Sequence, residues 1–372
     1  MNPFRYGTVV QEPYFFDRDK EKRKIIDVVK GGNNLVLYSP RRYGKTSLIM
    51  NVINTLKRQG FDCIYYDFMT VYSIDSFIES YTRAVFSLRK GTRRLINYIS
   101  KFIKGLRPRI TFGSDGSPEF CLEFLEPEVS NETLESVIDL PAKLVGNKRL
   151  IVVMDEFQDI HKLDGENFER ILRSRIQHHS SVSYVFLGSR THILRDMFND
   201  ENRPFYNSAL PMNLGPLPRD ETVRFLKERF ARSNIEIDTE TAEYLITQAG
   251  NVPYYIQFLA SEVWQYSVNN VKRVTAEIID LCADRIVELK GDYYYELFDR
   301  LSAYQKKLLK ALAQEGKNIF SANYARKYRL SVPSTTQKAI AGLVNYGIVE
   351  KVGNAYYFDD PFFKKYVLRL SA

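Results

Sequence analysis

The chain has 372 residues, a net charge of +8, 44% hydrophobic residues and 26% charged residues, as expected for a globular protein of two or three domains. No apolar run approaches the roughly 18 residues of a membrane span, and the N-terminal stretch lacks a signal-peptide core. We therefore expect a cytoplasmic protein without a membrane partner. The three scattered cysteines are expected as buried, reduced thiols, and the four histidines lack the spacing of a zinc site.

The positive charge is concentrated in one part of the chain. Residues 83–109 contain nine basic residues and no acidic residue, whereas residues 110–290 contain 19 basic and 29 acidic residues. Such asymmetry is typical of a site for an electrostatic partner. A solvated helix face explains the same stretch equally well, and the sequence leaves both interpretations open.

The first predicted elements are a helix, a strand and a second helix. An amphipathic helix carrying Ile25 and Val29 is expected to end at Gly31-Gly32. The apolar run at 35–37 predicts a short strand, and apolar residues at helical spacing between Leu48 and Leu56 predict the helix that follows. A loop of mixed polar residues joins this strand to this helix.

That loop matches the phosphate-binding pattern G-x-x-x-x-G-K-[ST] except at its first position, where Ser39 replaces glycine. Its backbone N–H groups and the helix N-terminus predict an anion site, in which Lys45 reaches the β- and γ-phosphates and the Thr46 hydroxyl ligates Mg²⁺. Because Ser39 lacks the freedom of glycine, we expect a β-like conformation there. A chance Gly-Lys-Thr beside a core strand is the alternative. The residues predicted to bind nucleotide in this loop are Ser39, Pro40, Arg41, Arg42, Tyr43, Gly44, Lys45, Thr46 and Ser47.

The middle of the chain alternates between strand and helix signals. A strand is predicted at 61–67, followed by helical periodicity from about 76 to 104. Residues 109–112 and 120–124 flank a glycine-containing stretch and predict a hairpin with a long loop. A helix is predicted near 131–145. Alternating strands and helices predict a mostly parallel sheet covered by helices.

The next strand ends in two carboxylates. The unbroken apolar run at 150–154 predicts a strand buried on both faces. Asp155 lies where a Walker B aspartate would hold Mg²⁺, directly or through water, so Thr46 and Asp155 are the predicted metal ligands. Glu156 lies where a carboxylate would take a proton from an attacking water. The alternative is that the Asp-Glu pair merely begins a solvated helix.

The last third of the chain predicts two further domains. A strand at 182–187 ends at Gly188-Ser189, and the composition changes near 214–218. Helical segments follow near 219–231, 238–249, 253–268 and 275–290. Three helices and a hairpin around Gly353-Asn354 then follow in the order of a winged helix. The predicted domains are an α/β unit, an all-helical lid and a winged helix-turn-helix, with bounds 1–215, 216–290 and 291–372.

With these motifs, the chain resembles the AAA+/STAND family of P-loop ATPases, and more narrowly the archaeal-type ATPase domain proteins. The resemblance covers nearly the whole chain and implies an α/β parallel sheet of the P-loop NTPase (ASCE/AAA+) type, with ATP and Mg²⁺ as cofactors. It implies that Lys45, Glu156 and Ser189 are catalytic. The segments that carry it are residues 16–21, 39–47, 153–158, 187–190 and 250–253.

The resemblance also implies roles for residues outside the loop. Arg18 and Glu21 lie in the segment that packs near adenine, Ser189 ends the sensor strand near the γ-phosphate, and Pro253 lies in the lid motif that contacts the base or the phosphates. The alternatives from the residues alone are an ordinary helix start, a strand-end turn and a proline in the first turn of a helix.

One feature of the family is missing. Family members often carry Gly-Arg in the segment where this chain has Asn207-Ser208. Hydrolysis that depends on an arginine finger is therefore in doubt, and turnover is expected to be slow or partner-dependent. A finger, if the chain supplies one, would have to be Arg190, Arg195 or Arg203.

Three functions fit these residues. The first is a Mg²⁺-dependent ATPase that acts as a nucleotide-driven conformational switch. The second is a DNA-binding ATPase that uses the winged helix and the basic stretch 83–109. The third is a non-catalytic nucleotide-binding scaffold. The predicted recognition helix carries only Lys338 near its start and no arginine to read guanine, so a DNA or a protein partner fits the winged helix. A homo-oligomer stays open.

Overall fold

The structure, a computed structural model, describes residues 1–11, 14–15, 18–88, 105–112, 118–125, 130–146 and 148–370. They form two compact units, Arg18–Gly215 and a second that joins Met1–Asp17 to Pro216–Ala372. The composition change near 214–218 coincides with this division. The first seventeen residues group with the second unit, whereas the α/β domain was predicted to begin at residue 1. The division into three domains stays a prediction.

The first unit contains a parallel sheet of five strands in the order β2-β5-β6-β1-β7. Strands β1, β5 and β6 are buried along their whole length, which a parallel sheet with both faces covered requires. Strand β7, an edge strand that is mostly exposed and contains a proline, was not predicted. The strands are β1 Leu35–Tyr38, β2 Asp62–Asp67, β5 Leu150–Asp155, β6 Val182–Gly188 and β7 Leu210–Asn213.

Helices and an antiparallel hairpin complete this unit. The predicted hairpin is confirmed as β3 Leu106–Phe112 paired with β4 Pro118–Phe124. The helix predicted over 76–104 is confirmed for its first part, and residues 89–104 lie outside the described residues. Most of the basic stretch 83–109 therefore also lies outside the described residues. Arg83 and Arg107 are described, and their side chains are exposed. The helices are α1 Asp19–Lys30, α2 Lys45–Arg58, α3 Ile74–Phe86, α4 Asn131–Ile138, α5 Leu140–Val145, α6 His161–Ile176 and α7 Thr191–Asn199.

An aromatic core lies on one face of the sheet and fixes the turn that follows β5. Phe157 begins a short 3₁₀ turn there and is fully buried. Its ring contacts those of Phe186 on β6, Phe198 on α7 and Phe205. Aromatic pairs of this kind contribute beyond their buried area, so the residue after Glu156 is anchored firmly in the core.

The second unit contains the predicted lid helices and the winged helix. The four lid helices are confirmed, and so is the order of three helices followed by the β8–β9 hairpin. Two helices at the ends of the winged-helix domain, α12 and α16, were not predicted. The elements are α8 Arg219–Ala231, α9 Thr239–Gln248, α10 Pro253–Asn270, α11 Ala276–Leu289, α12 Gly291–Asp299, α13 Ala303–Gln314, α14 Ala322–Lys327, α15 Pro333–Asn345, β8 Val349–Val352, β9 Ala355–Phe358 and α16 Pro361–Arg369.

A buried carboxylate joins α16 to the lid. One oxygen of Asp360 accepts hydrogen bonds from the backbone N–H groups of Phe362 (2.9 Å) and Phe363 (3.3 Å), which caps α16. Its other oxygen accepts from Lys290 Nζ (3.1 Å) and Tyr294 Oη (3.0 Å). Because Lys290 and Tyr294 lie where α11 meets α12, the end of the chain is tied to the helical lid.

Two further expectations concern the chain as a whole. Among the helices of the described residues, none is long and apolar enough to cross a bilayer. Cys63 and Cys282 are free and buried, as expected, while the side chain of Cys121 is not described.

Candidate nucleotide-binding site

The phosphate loop joins β1 to α2 and bends through two residues in the left-handed region, Arg42 (φ +68°) and Gly44 (φ +84°). Gly44 caps the N-terminus of α2, and a Cβ there would meet no atom within 4 Å. Glycine therefore serves the backbone angle rather than tight packing. Ser39 is buried and has no positive φ, so its replacement of glycine introduces no left-handed strain.

The lysine that follows the loop donates hydrogen bonds to the loop's own carbonyl groups. Lys45 is the first residue of α2 and is only 7% exposed. Its Nζ donates to the carbonyl oxygens of Ser39 (3.1 Å) and Pro40 (3.4 Å). Arg41 and Arg42 are exposed to solvent. A buried ammonium group above the start of a helix is a favourable environment for an anion.

The carboxylate at the end of β5 contacts the loop hydroxyl. Asp155 Oδ2 accepts hydrogen bonds from Thr46 Oγ1 (3.4 Å) and Tyr65 Oη (2.5 Å). Asp155 Oδ1 accepts from the backbone N–H of Glu156 (2.8 Å). Hydroxyl and carboxylate oxygens are ligands that Mg²⁺ prefers, with water and phosphate oxygens completing its shell. The two predicted metal ligands are thus adjacent and chemically suited to Mg²⁺.

Glu156 is held in one orientation by three donors. Its Oε2 accepts from Ser189 Oγ (2.7 Å), Ser189 N (3.3 Å) and Gln158 Nε2 (2.5 Å). Its backbone is left-handed, with φ 48° and ψ 42°, a conformation that costs a non-glycine residue of order 1 kcal/mol or more. Only glycine fits at position 188 in this arrangement, because a Cβ there would lie 2.2 Å from Gln158 Oε1. The structure brings Ser189 to Glu156, and the predicted place of Ser189 near the γ-phosphate stays a prediction.

The hydrogen bonds to this carboxylate stabilise its charged form. Burial raises the pKa of Glu156, but hydrogen bonds from Gln158 and Ser189 and the charge of Lys45 outweigh it, so its pKa lies below the ordinary value. Glu156 is therefore ionised at neutral pH. Burial, and then the charge of Asp155, raise the pKa of Tyr65 far above its usual value, so that hydroxyl remains protonated and donates.

Two residues of the site were not found from the sequence. Tyr65 carried a signal, because side chains alternate along a strand and Tyr65 shares a face with Asp67. Asp67 pairs in register with Asp155 on the neighbouring strand. Gln158 lies in the segment 153–158 that carries the family resemblance, but no role was assigned to it, because its position depends on the left-handed turn at Glu156.

The residues predicted near the base have other partners. Arg18 is buried and donates to Glu21 Oε1 (2.9 Å) and to the carbonyl oxygen of Gly215 (2.7 Å). Pro253 lies in the first turn of α10, after Val252 as the cap, and it belongs to the second unit. The roles of Arg18, Glu21 and Pro253 toward nucleotide stay predictions.

The three candidate finger arginines differ in their environments. Arg190 occupies the N-cap position of α7 without a capping hydrogen bond from its side chain, and it is exposed. Arg195 is also exposed, and its guanidinium lies 5.7 Å from the ring centroid of Tyr38. Arg203 forms an ion pair with the fully buried Glu169 of α6 and donates to His161 Nε2 (3.0 Å). Because Arg203 is paired with residues of its own unit, it is a poor candidate for an arginine finger.

A parallel sheet in this strand order, with a phosphate loop after β1 and an Asp-Glu pair after β5, defines a P-loop ATPase fold. Residues 15–259 match the family described as the ATPase domain predominantly from Archaea. The chain belongs to this family. Residues 292–369 match the family described as a probable winged helix domain, in agreement with the observed order of elements.

Individual proteins are similar to the chain over much of its length. An uncharacterised ATP-binding protein of Methanocaldococcus jannaschii is 25% identical over 281 residues, which cover 69% of this chain and 68% of that protein. The Walker-type ATPase of Pyrococcus abyssi superposes with a TM-score of 0.66 at 18% identity over 99% of both chains. The ORC1 protein of Aeropyrum pernix, solved in complex with DNA, gives a TM-score of 0.53 at 16% identity, covering 99% and 97%. These structures share the fold.

The ion pair of Arg203 leads to a stability prediction. Replacing Arg203 with Met leaves the buried Glu169 carboxylate without its main cation, and we expect a loss of roughly 2–4 kcal/mol in the stability of the first unit. Hydrogen exchange of the α6 amides measures this loss region by region. Arg190→Met is the control and is expected to match the parent. Parent-like protection in Arg203→Met would contradict the ion pair and restore Arg203 as a finger candidate.

Proposed function

We propose that the protein binds ATP with Mg²⁺ at this site and hydrolyses it slowly. The observation that carries the proposal is the position of Glu156, an ionised carboxylate fixed by Ser189 and next to the metal-suited pair of Thr46 and Asp155. Phosphoryl transfer needs positioning and charge stabilisation more than covalent chemistry. This set of side chains supplies both requirements.

Each side chain has a distinct role in the proposed reaction. Lys45 exchanges its two loop carbonyls for oxygens of the β- and γ-phosphates, while Thr46 and Asp155 hold the metal. Bound Mg²⁺ would neutralise charge on the phosphates. Glu156 accepts a proton from the attacking water, and Ser189 orients Glu156. The remaining loop residues, apart from Pro40, which has no backbone N–H, would surround the phosphates with backbone N–H groups.

Slow turnover follows from two features of the site. Ser189 and Gln158 both donate to Glu156 Oε2, and donors on a carboxylate oxygen lower its basicity toward water. Arg203 is engaged with Glu169, which leaves the stabilisation of the γ-phosphate to another arginine or to a partner. Partner-dependent hydrolysis is the expected behaviour of such a site.

Two substitutions separate binding from hydrolysis. Lys45→Ala is expected to weaken ATP binding at least about 100-fold, because the anion loses its buried cation. Glu156→Gln is expected to bind ATP like the parent and to release phosphate at least about 100-fold more slowly, in line with the usual contribution of a general base. Fluorescent nucleotide titration and a phosphate-release assay measure these effects.

The exposed Arg41 provides the matched control for charge removal, since Arg41→Ala is expected to retain most of the binding. Retained ATP binding in Lys45→Ala would show the site assignment to be wrong. ATP binding without phosphate release in both the parent and Glu156→Gln would favour the non-catalytic scaffold instead.

The proposed switch uses the contact between the lid loop and the winged helix. Gly250 and Asn251 are both left-handed, and they lead to Pro253 in the first turn of α10. A Cβ on Gly250 would lie 3.4 Å from Cβ of Pro361, the first residue of α16. A change in the position of Pro253 on nucleotide binding would therefore alter the packing of the loop against α16. Asp360 also attaches α16 to the lid.

A change in hydrogen exchange tests the switch. With a non-hydrolysable ATP analogue, we expect the protection of the α16 amides to differ at least about threefold from that with ADP, because local opening responds to bound ligand. Asp360→Asn weakens the attachment to Lys290 and is expected to reduce the difference. Differences confined to the first unit would contradict a switch that includes the winged helix.

DNA binding is the second candidate function. The exposed side of α15 carries Gln337 and Lys338, and the hairpin exposes Lys351, an arrangement compatible with a helix in the major groove and a wing on the backbone. The ORC1 neighbour was solved with DNA. The exposed charge is modest, however, and a protein partner fits the same surface.

Measurements of DNA binding and of ATP turnover in the presence of DNA decide between a DNA partner and a protein partner. If the surface binds DNA, fluorescence anisotropy should show affinity that falls with salt, and Lys351→Ala should weaken it by about 3-fold at physiological salt through a lost phosphate contact. Glu350→Ala is the control, because it removes no positive charge. Absence of binding at low salt, together with an ATPase rate unchanged by DNA, would leave a protein partner.

A further inference from the structure

We propose that Tyr65 is a positioning residue for the metal-binding carboxylate, and that its hydroxyl holds Asp155 in the orientation that Mg²⁺ needs. The inference rests on the proposed function, since it assigns a role at that same site. It adds a residue of β2 to a site otherwise built from the phosphate loop, β5 and the end of β6.

The strand geometry explains how Tyr65 reaches Asp155. Tyr65 pairs in register with Val153, and side chains two residues apart lie on the same face of a strand. Asp155 is therefore about 6.6 Å further along that face, since a parallel strand rises about 3.3 Å per residue. An extended tyrosine side chain spans this length, and its hydroxyl reaches the carboxylate at the edge of the sheet.

The hydrogen bonds of Asp155 indicate that Tyr65 restrains one of its two oxygens. Oδ1 is fixed by the backbone N–H of Glu156 at 2.8 Å. Oδ2 accepts from Tyr65 at 2.5 Å and only weakly from Thr46 at 3.4 Å. When Thr46 turns its oxygen to a metal, Tyr65 is the donor that still restrains Oδ2. Partners of this kind typically alter metal affinity 10- to 100-fold.

The neighbouring tyrosine offers a matched control on the same strand. Tyr66 points to the opposite face, where its hydroxyl bonds to Ser80 Oγ at 2.7 Å. Its ring packs against Phe68 and Phe77 in the core. Tyr65→Phe and Tyr66→Phe each remove one hydroxyl from β2 and keep the ring, but only the first changes a contact of Asp155.

The experiment measures the Mg²⁺ requirement of the full-length chain. A fluorescent ATP analogue is titrated with Mg²⁺, and Mn²⁺ binding in the presence of ATP is followed directly by electron paramagnetic resonance. We expect Tyr65→Phe to raise the Mg²⁺ concentration for half-maximal signal about 10-fold. Binding of the analogue in EDTA should be unchanged, because the phosphate loop is intact. Tyr66→Phe should show the parent's Mg²⁺ requirement.

Two further measurements separate positioning from a general structural effect. In an Asp155→Asn background, Tyr65→Phe is expected to add less than twofold, since the carboxylate that it positions is gone. Circular dichroism and the urea midpoint of Tyr65→Phe should stay near those of the parent. Loss of analogue binding in EDTA would indicate damage to the whole site and overturn the assignment.

The outcomes distinguish this inference from the proposed function. If the parent binds nucleotide with Mg²⁺ and Tyr65→Phe has the same or a lower Mg²⁺ requirement, Tyr65 does not position the metal ligand and the proposed function stands. If the parent binds no nucleotide, or binds it without regard to Mg²⁺, both the proposed function and the role of Tyr65 are wrong.

Discussion

The parallel pairing of buried strands is the constraint on which the rest of the molecule depends. Strands β1, β5 and β6 contain no charge before their last residues, since burial of an unpaired charge would be costly. Charged side chains of these strands therefore occur only where the strands end, and parallel strands end at one edge. The phosphate loop, Asp155 and Ser189 are therefore brought together by the same requirement that builds the core.

Negative charge accumulates at that edge, and the pKa values of two of its carboxylates shift in opposite directions. Burial raises the pKa of Asp67, and the nearby charges of Asp155 and Glu156 add to this effect against a stabilising hydrogen bond from Met69 N. Glu156 is instead stabilised as an anion by its donors and by Lys45. A divalent metal bound near these carboxylates would relieve their mutual repulsion. The arrangement is consistent with a site that is completed by its ligand.

The sequence predicted the fold well where patterns are local. The apolar runs identified β1, β5 and β6, and the lid and winged-helix helices were also predicted from the sequence. Strand β7 was missed because its exposed, proline-containing segment has no apolar pattern. In the candidate site, the ends of strands were predictable, but Gln158 was not, because a left-handed Glu156 and a Gly188 without a side chain determine its place. The pairing of Arg203 with Glu169 likewise joins residues 34 positions apart, which no local pattern reveals.

The hydrogen bond from Arg18 to Gly215 has a consequence for the path of the chain. The α/β unit begins at Arg18 and ends at Gly215, so the polypeptide crosses between the two units at these residues and nowhere else in the described chain. The guanidinium joins the two crossing points at 2.7 Å, and its burial protects that bond from water. The first and last residues of the α/β unit are therefore held together by a bond that lies within that unit.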